Sequence, residues 1–310
     1  MRIYSAQETA NALPYPALIE QISTLFASGL TAPLRHHHTL PNPQGQANTL
    51  LLMPAWQGVQ GYGGVKIVNV TPDNAQRGLP AVAASYLLFS ETTGEHVALL
   101  DGSVLTARRT AAASALGARY LANPQAKTLL IIGAGRVARE LPEAFASLFP
   151  LQKVLIWNRS PARAHELLNS LQTLQRWELA LVSDLASAVA QSDLISCATL
   201  AQAPVLMGEW LQAGQHLDLI GSFTPQMREV DDTALQRARV YIDTEAALKE
   251  SGDLVIPLQQ GVLKASDIQG SLYELCKLSQ TQYDPKAITL FKGVGHAVED
   301  LAAAIVAYET

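Results

Sequence analysis

Two stretches hold the residue types best suited to chemistry. Lys127–Ala138 reads KTLLIIGAGRVA, and Ile156–Ser160 reads IWNRS. In the first, an apolar run enters Gly133-Ala134-Gly135-Arg136-Val137-Ala138, a G-x-G-x-x-A turn that opens a helical pattern. Gly133 permits the tight turn, Gly135 clears a side chain from where backbone N–H groups approach a pyrophosphate, and Ala138 lets helix and strand pack closely. The second stretch ends the next strand, where an NAD-binding protein usually carries Asp or Glu for the ribose hydroxyls. Here that place reads Asn158-Arg159-Ser160, with Arg163 a short helical step on. A carboxylate would repel a 2′-phosphate, whereas Arg and Ser bind one. The expectation is a dinucleotide site that takes NADPH, with NADH weaker. A Gly-rich turn without ligand, and a solvated surface Arg159, are the plain alternatives.

The elements that must position these residues follow from periodicity. From Lys127 to about Thr244 the chain alternates strand and helix, predicting a doubly wound parallel sheet of the Rossmann type. Before it, Pro16–Gly29 reads as an amphipathic helix with Leu18, Ile22, Leu25 and Phe26 on one face. Extended segments follow at Arg35–Leu40, Thr49–Met53, Gly64–Val70, Ala81–Phe89 and His96–Asp101, separated by turn signals such as Pro41-Asn42-Pro43 and Thr93-Gly94. They predict a mostly antiparallel sheet. Thr106–Leu121 is a small-residue helix closed by Asn123-Pro124, and Ala297–Glu309 is a strongly helical ending. Thr289–Lys292 reads as a strand rejoining the first part. The chain is thus expected to be α/β, a Rossmann domain over 121–287 beside a discontinuous α+β substrate-binding and dimerisation domain formed by 1–120 with 288–310.

Composition narrows the function classes. The 310 residues are 48% hydrophobic and 16% charged, with a net charge of −5. There is no basic run, so binding to nucleic acid by phosphate neutralisation is not expected. Cys197 and Cys276 lie far apart without a C-x-x-C, which fits a reducing cytoplasm and gives no zinc or redox signature. No run approaches the apolar length of a membrane span. His36-His37-His38 does not read as a metal site, because consecutive strand residues point to alternate faces. Glu91, Glu95, Asp101 and the Glu299-Asp300 pair read as loop, cap and surface carboxylates.

Taken in order, the motifs resemble the ornithine cyclodeaminase/mu-crystallin family. They include MPAW (Met53–Trp56), VKIVNVTPDN (Val65–Asn74), DGSVLTARRTAAAS (Asp101–Ser114), LIIGAGRVA (Leu130–Ala138) and WNRS (Trp157–Ser160). GEW (Gly208–Trp210), IGSFTPQMREVDD (Ile220–Asp232), ALKESGDL (Ala247–Leu254) and FKGVGHAVEDLAAA (Phe291–Ala304) continue the match. The resemblance implies a homodimer joined through its N-terminal domains and an active site in the cleft between the two domains. It implies that Arg35, Lys66 and Arg109 hold the substrate carboxylate. The residues themselves agree in part. Arg109 is a long cation in an Ala-rich helix start, and Lys66 sits mid-strand between Val65 and Ile67. A structural ion pair or a snorkelling side chain is the other reading of each. Arg108 should point elsewhere on the helix.

Ile220–Pro225 follows a Rossmann strand, so Ser222 and Phe223 should face the nicotinamide, with Thr199 bordering it from the preceding strand end. In the family's cyclodeaminases the residue matching Phe223 is an aspartate that handles protons. Phe can neither accept nor donate one. The expected activity is therefore NAD(P)H-dependent reduction of a small cyclic imino acid, Δ1-pyrroline-2-carboxylate to L-proline or Δ1-piperideine-2-carboxylate to L-pipecolate. An ornithine or lysine cyclodeaminase, an amino-acid dehydrogenase and a non-catalytic NADPH-dependent binding protein are the rival readings within the family.

Overall fold

The computed structural model describes every residue except Thr31, Gln44 and Val59, and describes Ala75 by its backbone alone. The chain forms two compact units, Met1–Arg109 with His296–Thr310, and Thr110–Gly295.

In the first unit, six strands form one sheet: β1 (Arg2–Tyr4), β2 (His36–Leu40), β3 (Asn48–Trp56), β4 (Tyr62–Val70), β5 (Val82–Ser90) and β6 (His96–Asp101). Their order is β1-β6-β5-β4-β3-β2. Strands β2 to β6 pair antiparallel, as their turn-separated sequence implies, and β1 adds parallel to β6. The helix Ala297–Glu309 covers one face, and the helix Tyr15–Ala27 packs on that helix. Alternation along β4 buries Lys66 and Val68 on that face and turns Ile67 and Asn69 outward. Met53, Lys66, Tyr86 and Leu100 line up across four strands, all buried. An ammonium in an otherwise mostly apolar row requires a partner. The alanine-rich helix Ala297–Glu309 comes close enough to supply one, and residues 297–305 are buried without interruption.

The second unit is built on eight strands: β7 (Thr128–Ile132), β8 (Lys153–Trp157), β9 (Glu178–Leu181), β10 (Leu194–Cys197), β11 (His216–Leu219), β12 (Ala238–Ile242), β13 (Ile268–Ser271) and β14 (Ile288–Lys292). They pair in parallel in the order β13-β12-β14-β11-β10-β7-β8-β9. This is the expected Rossmann-type sheet. Chain order reverses between β7 and β10, the place where such sheets open a crevice for ligands.

The domain boundaries differ from those read in the sequence. Ile288–Lys292 does not rejoin the first unit; it lies between β11 and β12 in the parallel sheet. All five of its residues are buried, as a central parallel strand demands. The first boundary falls inside the helix Gly102–Leu121, after Arg109 rather than at residue 120. The later half of that helix packs on the parallel sheet. A Cβ at Gly117 would stand 2.8 Å from the Phe291 ring, so only glycine lets the helix lie this close to β14.

Candidate active site

The strand–turn–helix at Gly133 has the form that a pyrophosphate needs. Gly133 adopts φ +124°, and a Cβ there would fall 2.5 Å from the Ala198 carbonyl oxygen. Its N–H donates to the Trp157 carbonyl at 2.8 Å, tying the turn to the end of β8. Gly135 is the N-cap of the helix Arg136–Ala146, and no side chain caps that helix. A Cβ on Gly135 would meet nothing within 4 Å, so the space over the helix start is open. Open N–H groups at a positive helix end suit an anion. Ala138 is buried against the sheet, while Arg136 is exposed and Val137 half-buried. The residues therefore fit a dinucleotide.

At the end of β8, Asn158 Nδ2 donates to the Ser160 carbonyl at 3.0 Å. Ser160 is the N-cap of the helix Pro161–Gln172 without using its side chain as a cap. Arg159 and Arg163 are exposed. No carboxylate occupies Asn158–Ser160. After β10, Thr199 donates through N and Oγ1 to the buried Glu229. After β11, the Ser222 hydroxyl donates to the Met227 carbonyl at 2.7 Å and pairs with Ser251 Oγ at 2.8 Å. The Ser222 side chain is thus spent on its own turn. Phe223 stands out of the surface, 47% exposed.

In the first unit, Lys66 and Arg109 meet on a carboxylate that the sequence reading placed at the surface. Asp300 Oδ1 accepts from Lys66 Nζ at 2.9 Å and from Arg109 Nε at 2.8 Å, and Oδ2 lies 2.8 Å from Lys66 Nζ. Glu299 Oε2 accepts from Arg109 Nη1 at 2.6 Å, and Glu299 Oε1 closes a capping box by accepting from His296 N at 3.1 Å. Glu299 and Asp300 are 1% and 0% exposed, which corrects their assignment as surface groups. Neither hydrogen bond of Arg109 uses Nη2. Arg108 turns away, giving Nε and Nη2 to the Leu13 carbonyl and covering the Tyr15 ring. Arg35 is half-buried, and its charge acts on Lys66 and His296.

The electrostatics follow from burial. Removal from water and the neighbouring Arg109 charge lower Lys66 to about 8, and Asp300 restrains that fall. Burial would also lower Arg109, but Asp300 and Glu299 outweigh it and hold the guanidinium charged. Burial would raise Asp300, and Arg109 with Lys66 reverses this and keeps it ionised. His296, lowered to about 4 by burial and by Arg35, is neutral. The constellation is therefore two buried cations with two buried anions, one of the cations close to its titration point. Such a group can hold a carboxylate at Arg109 and exchange a proton at Lys66.

Sequence reasoning missed Glu299, Asp300 and Glu229. The signal available for the first two was a charged pair inside an otherwise apolar helix; that helix is buried nearly all round.

The chain matches the ornithine cyclodeaminase/mu-crystallin family over residues 17–310. A Δ1-pyrroline-2-carboxylate reductase of Paracoccus denitrificans is 39% identical over 281 residues, 87% of this chain and 88% of that one. The ketimine reductase mu-crystallin of Rattus norvegicus is 36% identical over 260 residues, 84% of this chain and 79% of its own. The structure of Thermococcus litoralis Δ1-pyrroline-2-carboxylate reductase, solved with NADH and L-proline, has a TM-score of 0.91 at 31% identity, covering 100% of this chain and 97% of that one. The match spans both units, and the chain belongs to the ornithine cyclodeaminase/mu-crystallin family.

Proposed function

We propose that this chain reduces a cyclic ketimine carboxylate with NADPH, forming L-proline from Δ1-pyrroline-2-carboxylate and L-pipecolate from Δ1-piperideine-2-carboxylate. The observation that carries the reading is the buried Lys66–Asp300–Arg109 constellation. The Gly133–Ala138 turn would hold the dinucleotide through its pyrophosphate, and the reduced cofactor would supply the hydride for the C=N carbon. Arg109, with Nη2 uncommitted by Asp300 and Glu299, and Arg35 hold the carboxylate and so orient the ring. Lys66, near 8, is protonated at neutral pH and supports protonation of the imine nitrogen. Arg159, Ser160 and Arg163 favour the 2′-phosphate, hence NADPH over NADH. Exposed Leu40, Trp56, Ile67 and Val82 of the first sheet support a homodimer joined through that unit. A sequence with two cysteines, Cys197 and Cys276, far apart and without a C-x-x-C, supports a cytoplasmic setting.

Phe223 weighs against the cyclodeaminase reading, since it has no titratable atom where that chemistry needs one. The test is NADPH oxidation with the two cyclic ketimines, with pyruvate plus ammonia and with pyruvate plus methylamine. Ammonia release from L-ornithine and L-lysine is measured in parallel. We expect turnover of the ketimines and no ammonia. Proline and ammonia accumulating from ornithine with catalytic NAD would overturn the reading, and a preference for pyruvate plus ammonia would replace it by an amino-acid dehydrogenase.

A further inference from the structure

We infer that Glu229 is the positioning residue for the nicotinamide end of the dinucleotide site, fixing two strand-end loops onto each other. This rests on the dinucleotide reading of the Gly133 turn but on no particular substrate. Glu229 is fully buried. Its Oε1 accepts from Thr199 N at 2.8 Å and from Thr199 Oγ1 at 2.9 Å. Its Oε2 accepts from Gly221 N at 2.8 Å and from Ser222 N at 3.2 Å. The donors come from the segments directly after β10 and β11, at the carboxyl ends of neighbouring strands. The first of these also abuts the dinucleotide turn, because a Cβ on Gly133 would stand 3.5 Å from Thr199 Cγ2. A Cβ on Gly221 would overlap the Thr199 backbone and the Glu229 carboxylate. Three strand-end turns are therefore layered in contact, with that after β10 in the middle, and one carboxylate joins it to the turn after β11.

A second tier holds Glu229 itself. Asp253 Oδ1 accepts from Glu229 N at 2.7 Å and from Val230 N at 3.3 Å. Lys292 Nζ donates to the Leu219 carbonyl at 3.1 Å and lies 3.5 Å from Asp253 Oδ2. Among the side chains that the two loops present outward are two large apolar ones, Leu200, 70% exposed, and Phe223, 47% exposed. An apolar wall of this kind suits a nicotinamide ring, and its position depends on the loops that Glu229 joins. The adenosine end rests on other residues, after β7 and β8.

Glu229→Gln preserves volume and tests the joint. An amide has one acceptor oxygen, so its NH2 must face either the Thr199 donors or the Gly221 and Ser222 donors. The paired ligands are NADPH and 2′-phospho-ADP-ribose, which lacks the nicotinamide; both are titrated by calorimetry without substrate. We expect Glu229→Gln to weaken NADPH by about tenfold or more, the scale of one lost charge-assisted bond. Binding of 2′-phospho-ADP-ribose should stay within about twofold, since its site is not displaced. Equal weakening of both ligands, or no change in either, would overturn the inference. Should Glu229→Gln not fold, Thr199→Val removes one donor alone and should show the same one-sided loss, with Thr199→Ser restoring it. A wild-type protein that binds neither ligand would remove the dinucleotide reading itself, a result distinct from failure of the Glu229 assignment.

Discussion

Replacing Asp300 by Asn should be the most damaging single-charge change in the first unit. The side chain keeps its volume, but the carboxylate shared by Lys66 and Arg109 is gone. Arg109 keeps Glu299, whereas Asp300 is the carboxylate that Lys66 contacts. Lys66 is 2% exposed, so water does not take over. Removing one partner of a buried pair costs about 3–5 kcal/mol. At roughly 2–4 °C per kcal/mol, the melting temperature should fall by about 10 °C at neutral pH. The deficit should also depend on pH. The folded protein releases the Lys66 proton near 8 and the unfolded chain near 10.5. Between those values the unfolded state binds more protons, so this group's penalty is full below about 8 and is relieved as pH rises toward 10.5. Without Asp300 only the lowering influences of burial, Arg109 and Arg35 remain, and the window opens at lower pH. The gap between wild type and variant should therefore narrow as pH rises. If charged Lys66 serves the reaction, the alkaline fall of kcat/KM should move in the same direction, to lower pH. Differential scanning calorimetry on both sides of about 8, with a kcat/KM profile on Δ1-piperideine-2-carboxylate, reads all of this. A double variant with Lys66→Met should be less destabilised than the two single losses added together. A melting temperature changed by less than about 2 °C, or a deficit independent of pH, would refute the reasoning.

Arg159→Ala should weaken NADPH by about tenfold to a hundredfold while leaving NADH nearly unchanged, as measured by fluorescence titration. Equal loss of both cofactors would take the 2′-phosphate away from Arg159. Gly135→Val should leave the melting temperature close to wild type, because a side chain there meets open space at an ordinary φ of −86°. It should nevertheless sharply reduce dinucleotide affinity by filling that space, and binding retained at wild-type strength would move the pyrophosphate elsewhere.

The amino-acid order specifies what short segments encode. The β7–turn–helix was legible because an apolar run, two glycines and a helical pattern are local signals, and Gly133 needs its positive φ wherever the chain goes. The alternation of β4 placed Lys66 on the buried face, and a long cation among alanines marked Arg109. Tertiary structure alone decided their partners. Asp300 lies 234 residues from Lys66 and 191 from Arg109, and an acidic pair in a first helical turn reads as a dipole or capping group until a sheet is laid against it. Glu229 meets Thr199 across 30 residues because β10 and β11 end side by side, which no local pattern states. Ile288–Lys292 has the apolar run of a central strand, but which sheet receives it depends on the slot between β11 and β12. Local periodicity specifies which face of an element is buried; the charge that meets a buried group depends on packing between elements distant in the chain.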